Sequence, residues 1–320
     1  MPYAEHRVSL RQILSKDETF RISTETSGDN LIRSIRRIGL LHPPILRPVS
    51  AGFAVVSGFR RLAACRALAM DAIPAKVLDS DVSNTDCIAM AIADNAFQRP
   101  LNSIELSRGL KLLSAVCPDM QSLSAAALDL GLPDNWSMIG KLLSLSDLPH
   151  QIQDGVVSEI LSLAMALELG QLNGAAGILL AGLFGYLKVG LNKQREILTL
   201  IQEVAHRDQV SIEDVLNTAE IQDIVHHEKW DRSRKTVLLR EYLKRRRYPH
   251  ISSFETIFES RRQSLNLDPE VALIPPRDFE GDTFSFHIQF TDPAGLRQRL
   301  SRLQEIASGP VIENILAGGR

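Results

Sequence analysis

Cysteine and aromatic residues are scarce in this sequence of 320 residues, and the scarcity of cysteine argues against a zinc-binding or disulfide-rich protein. The three cysteines, Cys65, Cys87 and Cys117, are widely spaced and odd in number. This pattern fits neither a zinc site nor a disulfide framework, and it favours a reducing compartment. The first residues also lack the apolar run of a secretory signal. We therefore expect a cytoplasmic protein.

The sequence also lacks a strong net charge and a long apolar run. Its net charge is only −2, so any binding to nucleic acid must depend on local patches. Residues 175–187 carry no charged side chain, but a membrane-spanning helix needs about twenty apolar residues. We predict that this stretch is a buried helix and that the protein does not associate with membranes.

One segment of the chain is rich in arginine and free of acidic residues. Between Asn30 and Met70 there are seven arginines, at positions 33, 36, 37, 47, 60, 61 and 66. A short apolar run predicts a strand that ends at Gly58, and a strong helix-forming sequence follows. A glycine before a helix start leaves backbone N–H groups free, and Arg60 and Arg61 add guanidinium groups. This arrangement favours a phosphate site, although arginines on a solvated surface are the alternative.

A second polar segment, Asp94–Arg99, suits the same ligand. Asp94 and Asn95 carry the oxygen atoms that Mg²⁺ takes when it is shared with substrate phosphates. Gln98 and Arg99 can donate hydrogen bonds to the anion. Together the two segments predict a site for a phosphorylated ligand and its metal ion.

Three ordered blocks of the sequence resemble the ParB family of chromosome- and plasmid-partition proteins. The family patterns are S-I-x-x-x-G-x-x-x-P-[IV], G-E-R-R-x-x-A and E-N-x-Q-R-x-x-L-x-x-x-E. The corresponding residues are Ser34–Ile45, Gly58–Ala64, and Asp94–Leu101 with Glu105. A later segment, Gly190–Glu196, resembles the family's G-L-S-x-R-Q-x-E.

The resemblance implies a dimeric clamp on DNA that closes when it binds CTP with Mg²⁺. It assigns the triphosphate to Gly58, Arg60, Arg61, Ala63, Ala64, Asn95, Gln98 and Arg99, and the metal to Asp94 and Asn95. It assigns the cytosine to a pocket near Gly39–Ile45, with Gly39 and Pro44 as its candidate residues. The chain has Phe59 where the family has the glutamate associated with hydrolysis. Phenylalanine can neither orient water nor accept a proton. We therefore expect nucleotide binding with weak or absent hydrolysis.

The predicted fold class is α+β and mostly helical, in three domains. An α/β domain of the ParB and sulfiredoxin type is expected over residues 1–100, with strands at Ile45–Val49, Phe53–Val56 and Ile73–Leu78. An all-helical domain with a helix-turn-helix is expected over residues 101–225. A basic C-terminal region with a small α/β unit, a candidate for dimerisation, is expected over 226–320. The strict alternation of Phe284–Phe290 predicts a strand. A helix is expected after Asp292, with its buried face formed by Leu296, Leu300, Leu303 and Ile306.

Two regions are candidates for DNA contact. Residues 123–145 have the order of a helix-turn-helix, a helix, a glycine and a second helix. Asn135, Ser137 and Lys141 are its candidate DNA contacts, and Asp134 is the expected helix cap. The second region, Lys229–Arg262, contains the basic run Lys244, Arg245, Arg246 and Arg247. Each region has a simpler alternative, a structural helical hairpin for the first and a solvated helix face for the second.

The function predicted from these resemblances is a CTP-dependent DNA clamp in chromosome or plasmid partition. DNA, a second copy of the chain and a partition ATPase are the expected partners, and the nucleoid or a plasmid is the expected location. A transcription regulator of the same family is the main alternative. A nuclease is disfavoured because Asn30–Met70 offers no carboxylate for a metal. A sulfiredoxin-like reductase is disfavoured because Phe59 stands at its cysteine position.

Overall fold

The structure is a computed structural model, and it describes residues 3–25, 28–276 and 283–317. The chain divides into two compact units, residues 1–192 and residues 193–320. The three domains predicted from the sequence have other boundaries, and that division stays a prediction. Both units combine a small sheet or hairpin with a larger number of helices, so the expected α+β class is confirmed.

The sheet of the first unit has four strands in the order β1-β4-β2-β3. They are β1 (Tyr3–Ser9), β2 (Ile45–Val49), β3 (Gly52–Ser57) and β4 (Ala72–Leu78). β1 and β4 are antiparallel, β4 and β2 are parallel, and β2 and β3 form an antiparallel hairpin. The three predicted strands are confirmed, and β1 is an additional edge strand.

Three helices accompany this sheet: α1 (Asp29–Ile38), α2 (Phe59–Ala67) and α3 (Asn84–Ala96). The core contains Ile35 of α1 and Leu62 and Cys65 of α2, which pack with strand residues such as Leu46 and Ile73. Cys65 and Cys87 are buried and all three thiols are free. The helix predicted to follow Gly58 is α2, and it begins at Phe59.

Six further α-helices follow in the described part of the first unit. They are α4 (Ser103–Ser114), α5 (Met120–Asp129), α6 (Trp136–Ser146), α7 (His150–Val157), α8 (Leu163–Gly170) and α9 (Ala176–Leu187). α9 is the charge-free stretch, and Leu180, Phe184 and Leu187 are buried, as predicted. In the described part of the chain, no helix combines the length and the apolar character needed to cross a membrane.

Helix α10 (Leu191–Asp208) begins two residues before the second unit, which starts at residue 193, and otherwise belongs to it. The unit continues with α11 (Ile212–Leu216), α12 (Ala219–His226), α13 (Arg232–Arg247) and α14 (Pro249–Ser264). A hairpin of β5 (Val271–Ile274) and β6 (Ser285–Ile288) follows, and then α15 (Pro293–Ala307) and α16 (Pro310–Ala317). β6 confirms the predicted strand in shortened form, and β5 was not predicted. Residues 277–282, between β5 and β6, lie outside the described residues.

The predicted buried face of α15 is only partly buried. Leu300 is 48% exposed, and no residue of α15 is fully buried. The small core beside it is formed instead by Leu265, Leu273, Ile312 and Ile315, with Ile306 packed at its edge. The last helix, α16, thus supplies apolar side chains that the sequence analysis assigned to α15. The start of α15 is as predicted, because the Asp292 carboxylate accepts a hydrogen bond from the N–H of Gly295 at 2.8 Å.

Candidate nucleotide-binding site

A cleft of about 470 Å³ opens at the C-terminal end of β3 and the start of α2. This volume is in the range of small-molecule sites, about 300–1,000 Å³. Its walls come mainly from the segment before α1, the loop before β2, the β3–α2 turn and the end of α3, with further residues from α1 and β4. The polar side chains on these walls are Ser23, His42, Ser57, Arg60, Arg61, Lys76, Asp94, Asn95, Gln98 and Arg99.

Gly58 makes the turn from β3 into α2 possible. Its φ is +99°, in the left-handed region that favours glycine. A Cβ at this position would lie 2.8 Å from Cβ of Pro44, so a larger residue would displace the loop before β2. Because α2 begins directly after this turn, its first N–H groups have no partners within the helix. The turn therefore presents backbone donors and two arginines at one wall of the cleft.

Each of the three arginines in the cleft already contacts a carboxylate. Arg60 lies 2.8 Å from Glu25, Arg61 lies 2.7 Å from Asp94, and Arg99 lies 2.6 Å from Glu105. The carboxylates differ in exposure, which is 58% for Glu25, 25% for Asp94 and 0% for Glu105. The arginines are recognisable in the sequence, but none of these ion pairs is. The exposures indicate that the three arginines are not equally available to an incoming anion.

Asp94 is bound on both carboxylate oxygens. Oδ2 accepts hydrogen bonds from Ser57 and from Arg61, and Oδ1 accepts one from Gln98 at 2.9 Å. Arg61 also donates to the carbonyl oxygen of His42 at 2.9 Å. Asp94 and Arg61 thus hold α3, the β3–α2 turn and the loop before β2 together. They shape the cleft whether or not they also contact a ligand.

Glu105 is fully buried at the junction of α3 and α4, where Arg99 donates two hydrogen bonds to it at 2.6 and 2.7 Å. The N–H groups of Thr24 and Asn102 also donate to it, at 3.0 and 3.2 Å. Burial raises the pKa of the Glu105 carboxyl, but these hydrogen bonds outweigh it and hold the pKa below its usual value. The hydrogen bonds to Glu105 also raise the pKa of Arg99. Glu105 is therefore an ionised carboxylate that links the cleft to α4.

The structure brings seven of the predicted site residues together at the cleft. They are Gly58, Arg60, Arg61, Asp94, Asn95, Gln98 and Arg99. It places four others elsewhere. Ala64 is buried in the core, and the N–H groups of Ala63 and Ala64 fall in the second turn of α2, where backbone donors are used within the helix. Pro44 is beneath the turn rather than in the cleft, and Gly39 ends α1.

Several residues of the cleft were missed. Ile22, Ser23 and Leu31 form one side of it, and Lys76 adds a fourth cation from β4. The ammonium of Lys76 lies 4.7 Å from the ring centroid of Tyr3. Lys76 follows the alternation of β4, whose residues 73 and 75 are buried, so a two-residue period could have placed it on the other face of the sheet.

The predicted metal ligands have few free oxygens. The amide of Asn95 donates to the carbonyl of Ala91 at 2.8 Å, which leaves its oxygen available, whereas Asp94 is engaged as described. Over the residues that the structure describes, no group of three or more His, Cys, Asp or Glu could hold a metal ion. A metal bound here would take most of its ligands from a phosphorylated compound.

The candidate DNA-binding residues lie in two different settings. On α6, Asn135 is the helix N-cap and accepts a hydrogen bond from the N–H of Met138 at 3.2 Å, so the expectation that Asp134 is the cap is wrong. Asp134 instead accepts a hydrogen bond at its carbonyl from Ser124. Ser137 and Lys141 are exposed on α6. They are exposed to a ligand, whereas the amide oxygen of Asn135 already accepts one hydrogen bond.

Three of the four basic residues at the end of α13 have acidic partners on α10. Lys244 lies 3.0 Å from Glu196, Arg246 3.0 Å from Asp208, and Arg247 2.9 Å from Glu203. Arg240, one turn earlier, also contacts Glu196 at 2.7 Å. Arg245 is exposed, and among the described residues it has no ion-pair partner. Much of the basic run therefore packs α13 against α10.

The N-terminal part of this chain is similar to known proteins. Residues 6–96 match the family profile described as the ParB N-terminal domain. A nucleoid occlusion protein of Listeria monocytogenes is 28% identical over 135 residues, which cover 42% of this chain and 45% of that protein. The chromosome-partitioning protein Spo0J of Thermus thermophilus is 33% identical over 89 residues, which cover 28% and 32%. The alignments thus span less than half the length of these curated relatives.

Solved structures of low identity also resemble the chain. One is the C-terminally truncated chromosome-partitioning protein ParB of Caulobacter crescentus, complexed with CTP-gamma-S. It is 21% identical, with a TM-score of 0.27, and the match covers 57% of this chain and 98% of that one.

Proposed function

We propose that this chain, whose residues 6–96 match the ParB N-terminal domain, is a DNA-binding partition protein whose cleft binds a nucleoside triphosphate, CTP. The proposal rests on one observation above the others. The Gly58 turn places free helix N–H groups, Arg60 and Arg61 at one wall of a cleft of suitable volume. Such a wall is suited to phosphate groups. The choice of cytosine comes from the family resemblance.

Arg60 is the arginine that supports triphosphate binding most directly. Its partner Glu25 is exposed, and its Nε atom is buried without a hydrogen-bond partner in the described structure. A phosphate oxygen would satisfy that donor. Arg61 and Arg99 act mainly on other residues, Arg61 by holding Asp94 and Arg99 by holding Glu105. We assign Gln98 and Lys76 as additional donors to the ligand.

Mg²⁺ is the metal that this proposal includes. The ion would arrive bound to the triphosphate and would take the amide oxygen of Asn95 as a further ligand. The carboxylate of Asp94 could also bind the ion once Asp94 is released from its hydrogen-bond partners. Its role in the cleft would be to offset the phosphate charge that the arginines leave unpaired. No carboxylate stands at position 59, so we expect the bound nucleotide to be hydrolysed slowly or not at all.

DNA binding would involve α5 and α6 together with exposed cations of the second unit. Ser137 and Lys141 are presented on α6, and Arg245 on α13. We also propose a homodimer and a partition ATPase as partner, both from the family resemblance. The exposed apolar residues near the C-terminal hairpin, Phe286, Phe290 and Leu300, are consistent with a surface that a second copy covers.

The test is calorimetric titration of CTP with Mg²⁺ into the unmodified protein and into Arg60→Ala. Loss of a hydrogen bond to a charged group costs about 1.5–3 kcal/mol, so we expect binding weakened by roughly ten- to a hundredfold. Arg195→Ala is the matched control, because it removes an exposed arginine of α10 and should bind CTP normally. Unchanged affinity in Arg60→Ala would mean that CTP does not bind in this cleft.

A further inference from the structure

Glu25 stands apart from the other carboxylates that contact arginines of the cleft. It belongs to the segment before α1, and its neighbour Thr24 is held through hydrogen bonds to Glu105. Its carboxylate lies 2.8 Å from Arg60. The charge of Glu25 also reaches Arg99 and adds to the rise in the pKa of that guanidinium, behind the larger effect of Glu105. Glu25 thus places a negative charge near two of the arginines that line the cleft.

The burial of the three pairs decides which of them can open. Glu105 is completely buried with several hydrogen bonds, and separating it from Arg99 would leave a buried charge without a partner. Asp94 is three-quarters buried and bound on both oxygens. Glu25 is more than half exposed, and ion pairs of that kind are weak and easily replaced by water. An incoming anion therefore meets Arg60 first.

We propose that Glu25 is a built-in competitor of the nucleotide, an acidic side chain that occupies Arg60 until a phosphate group displaces it. The inference rests on the proposed nucleotide site and adds its regulation. Glu25 holds the Nη2 atom of Arg60, so a phosphate can use that atom together with Nε only when the contact opens. The apparent affinity is therefore lowered by the fraction of molecules in which the contact is closed. Only an anion that gains more from Arg60 than Glu25 does will bind well. A triphosphate meets this condition better than a ligand with a single negative charge.

The experiment compares CTP binding by Glu25→Gln with binding by the unmodified protein, by calorimetry at low salt. Glutamine keeps the size of the side chain but removes its charge. We expect affinity to rise about 1.5- to 5-fold, the range of an exposed ion pair, and the gain to shrink as salt screens the pair. Glu168→Gln, on the exposed face of α8, makes the same chemical change outside the cleft and should leave the affinity unchanged.

A double-substitution cycle with Arg60→Ala completes the test. If Glu25 acts through Arg60, then Glu25→Gln should have no effect on affinity once Arg60 is absent. An equal or lower affinity in Glu25→Gln, or an equal gain in Glu168→Gln, would overturn the role of Glu25 and leave the nucleotide site intact. Failure of all variants and of the unmodified protein to bind any nucleoside triphosphate would overturn the proposed function itself.

Discussion

Phe59 shows how a single residue can alter what the cleft does without altering its shape. It occupies the first turn of α2, lines the cleft and packs partly buried against the core of the first unit. The guanidinium of Arg21 lies 6.0 Å from its ring centroid. Phe59 therefore stabilises the domain and also occupies the place where the family pattern has a carboxylate. These two roles can be separated by substitution.

We predict that the unmodified protein hydrolyses CTP very slowly and that Phe59→Glu raises the rate. General acid–base assistance contributes about 10²–10⁴-fold, so even part of it would be visible as phosphate release. Phe59→Gln is the matched control, since it loses the same packing but gains no base. Melting temperatures of both variants report the cost of the lost ring. Brisk hydrolysis by the unmodified protein would mean that another residue supplies the base.

The sequence indicated the arginines of the cleft but not their partners, and the reason is physical. Arginines at a helix start after a glycine are recognisable from residue type and local order. Arg61 and Asp94, in contrast, are brought together by the fold across 33 positions, and no local pattern marks such a pair. The same holds for Glu25 and Arg60. Ala63 and Ala64 were assigned by resemblance, and the helical geometry of α2 turns them away from the cleft.

Among the elements, the strands that alternate or form continuous apolar runs were predicted well. β2 has the predicted ends, and β3 and β4 extend the predictions by one or two residues. β1 was missed because it is an edge strand in which Val8 is the one buried residue, so it has little apolar signal. α15 was misread because a helical apolar stripe shows that a face can be buried, but not which neighbouring element covers it.

Helix α13 yields a prediction about DNA that separates its exposed cation from its paired ones. Arg245→Ala should weaken binding to DNA of any sequence and reduce the salt slope by about one, because a phosphate contact carries no base information. Its melting temperature should be unchanged. Arg246→Ala is the control, since it breaks the ion pair with Asp208. It should lower the melting temperature and should weaken DNA binding less than Arg245→Ala does. Equal salt slopes in Arg245→Ala and the unmodified protein would mean that Arg245 is exposed to solvent and does not contact a DNA phosphate.

At the scale of the whole molecule, the family resemblance covers the first unit better than the second. The profile match ends at residue 96, and the alignments to curated relatives cover under half of either chain. The second unit, with its α10–α13 ion pairs and C-terminal hairpin, had to be described from its own residues. The charges of its basic run could be counted in the sequence, but their use in helix packing required the structure.

The central claim is that this chain binds CTP in the cleft beside Arg60, and direct binding of the four nucleoside triphosphates tests it most simply. Each labelled nucleotide is titrated into the full chain with Mg²⁺, with and without DNA. We predict that CTP binds at least about tenfold more tightly than ATP, GTP or UTP, the contribution of roughly one well-formed hydrogen bond to the base. Equal binding of all four nucleotides would contradict the cytosine assignment, and binding of none would contradict the site.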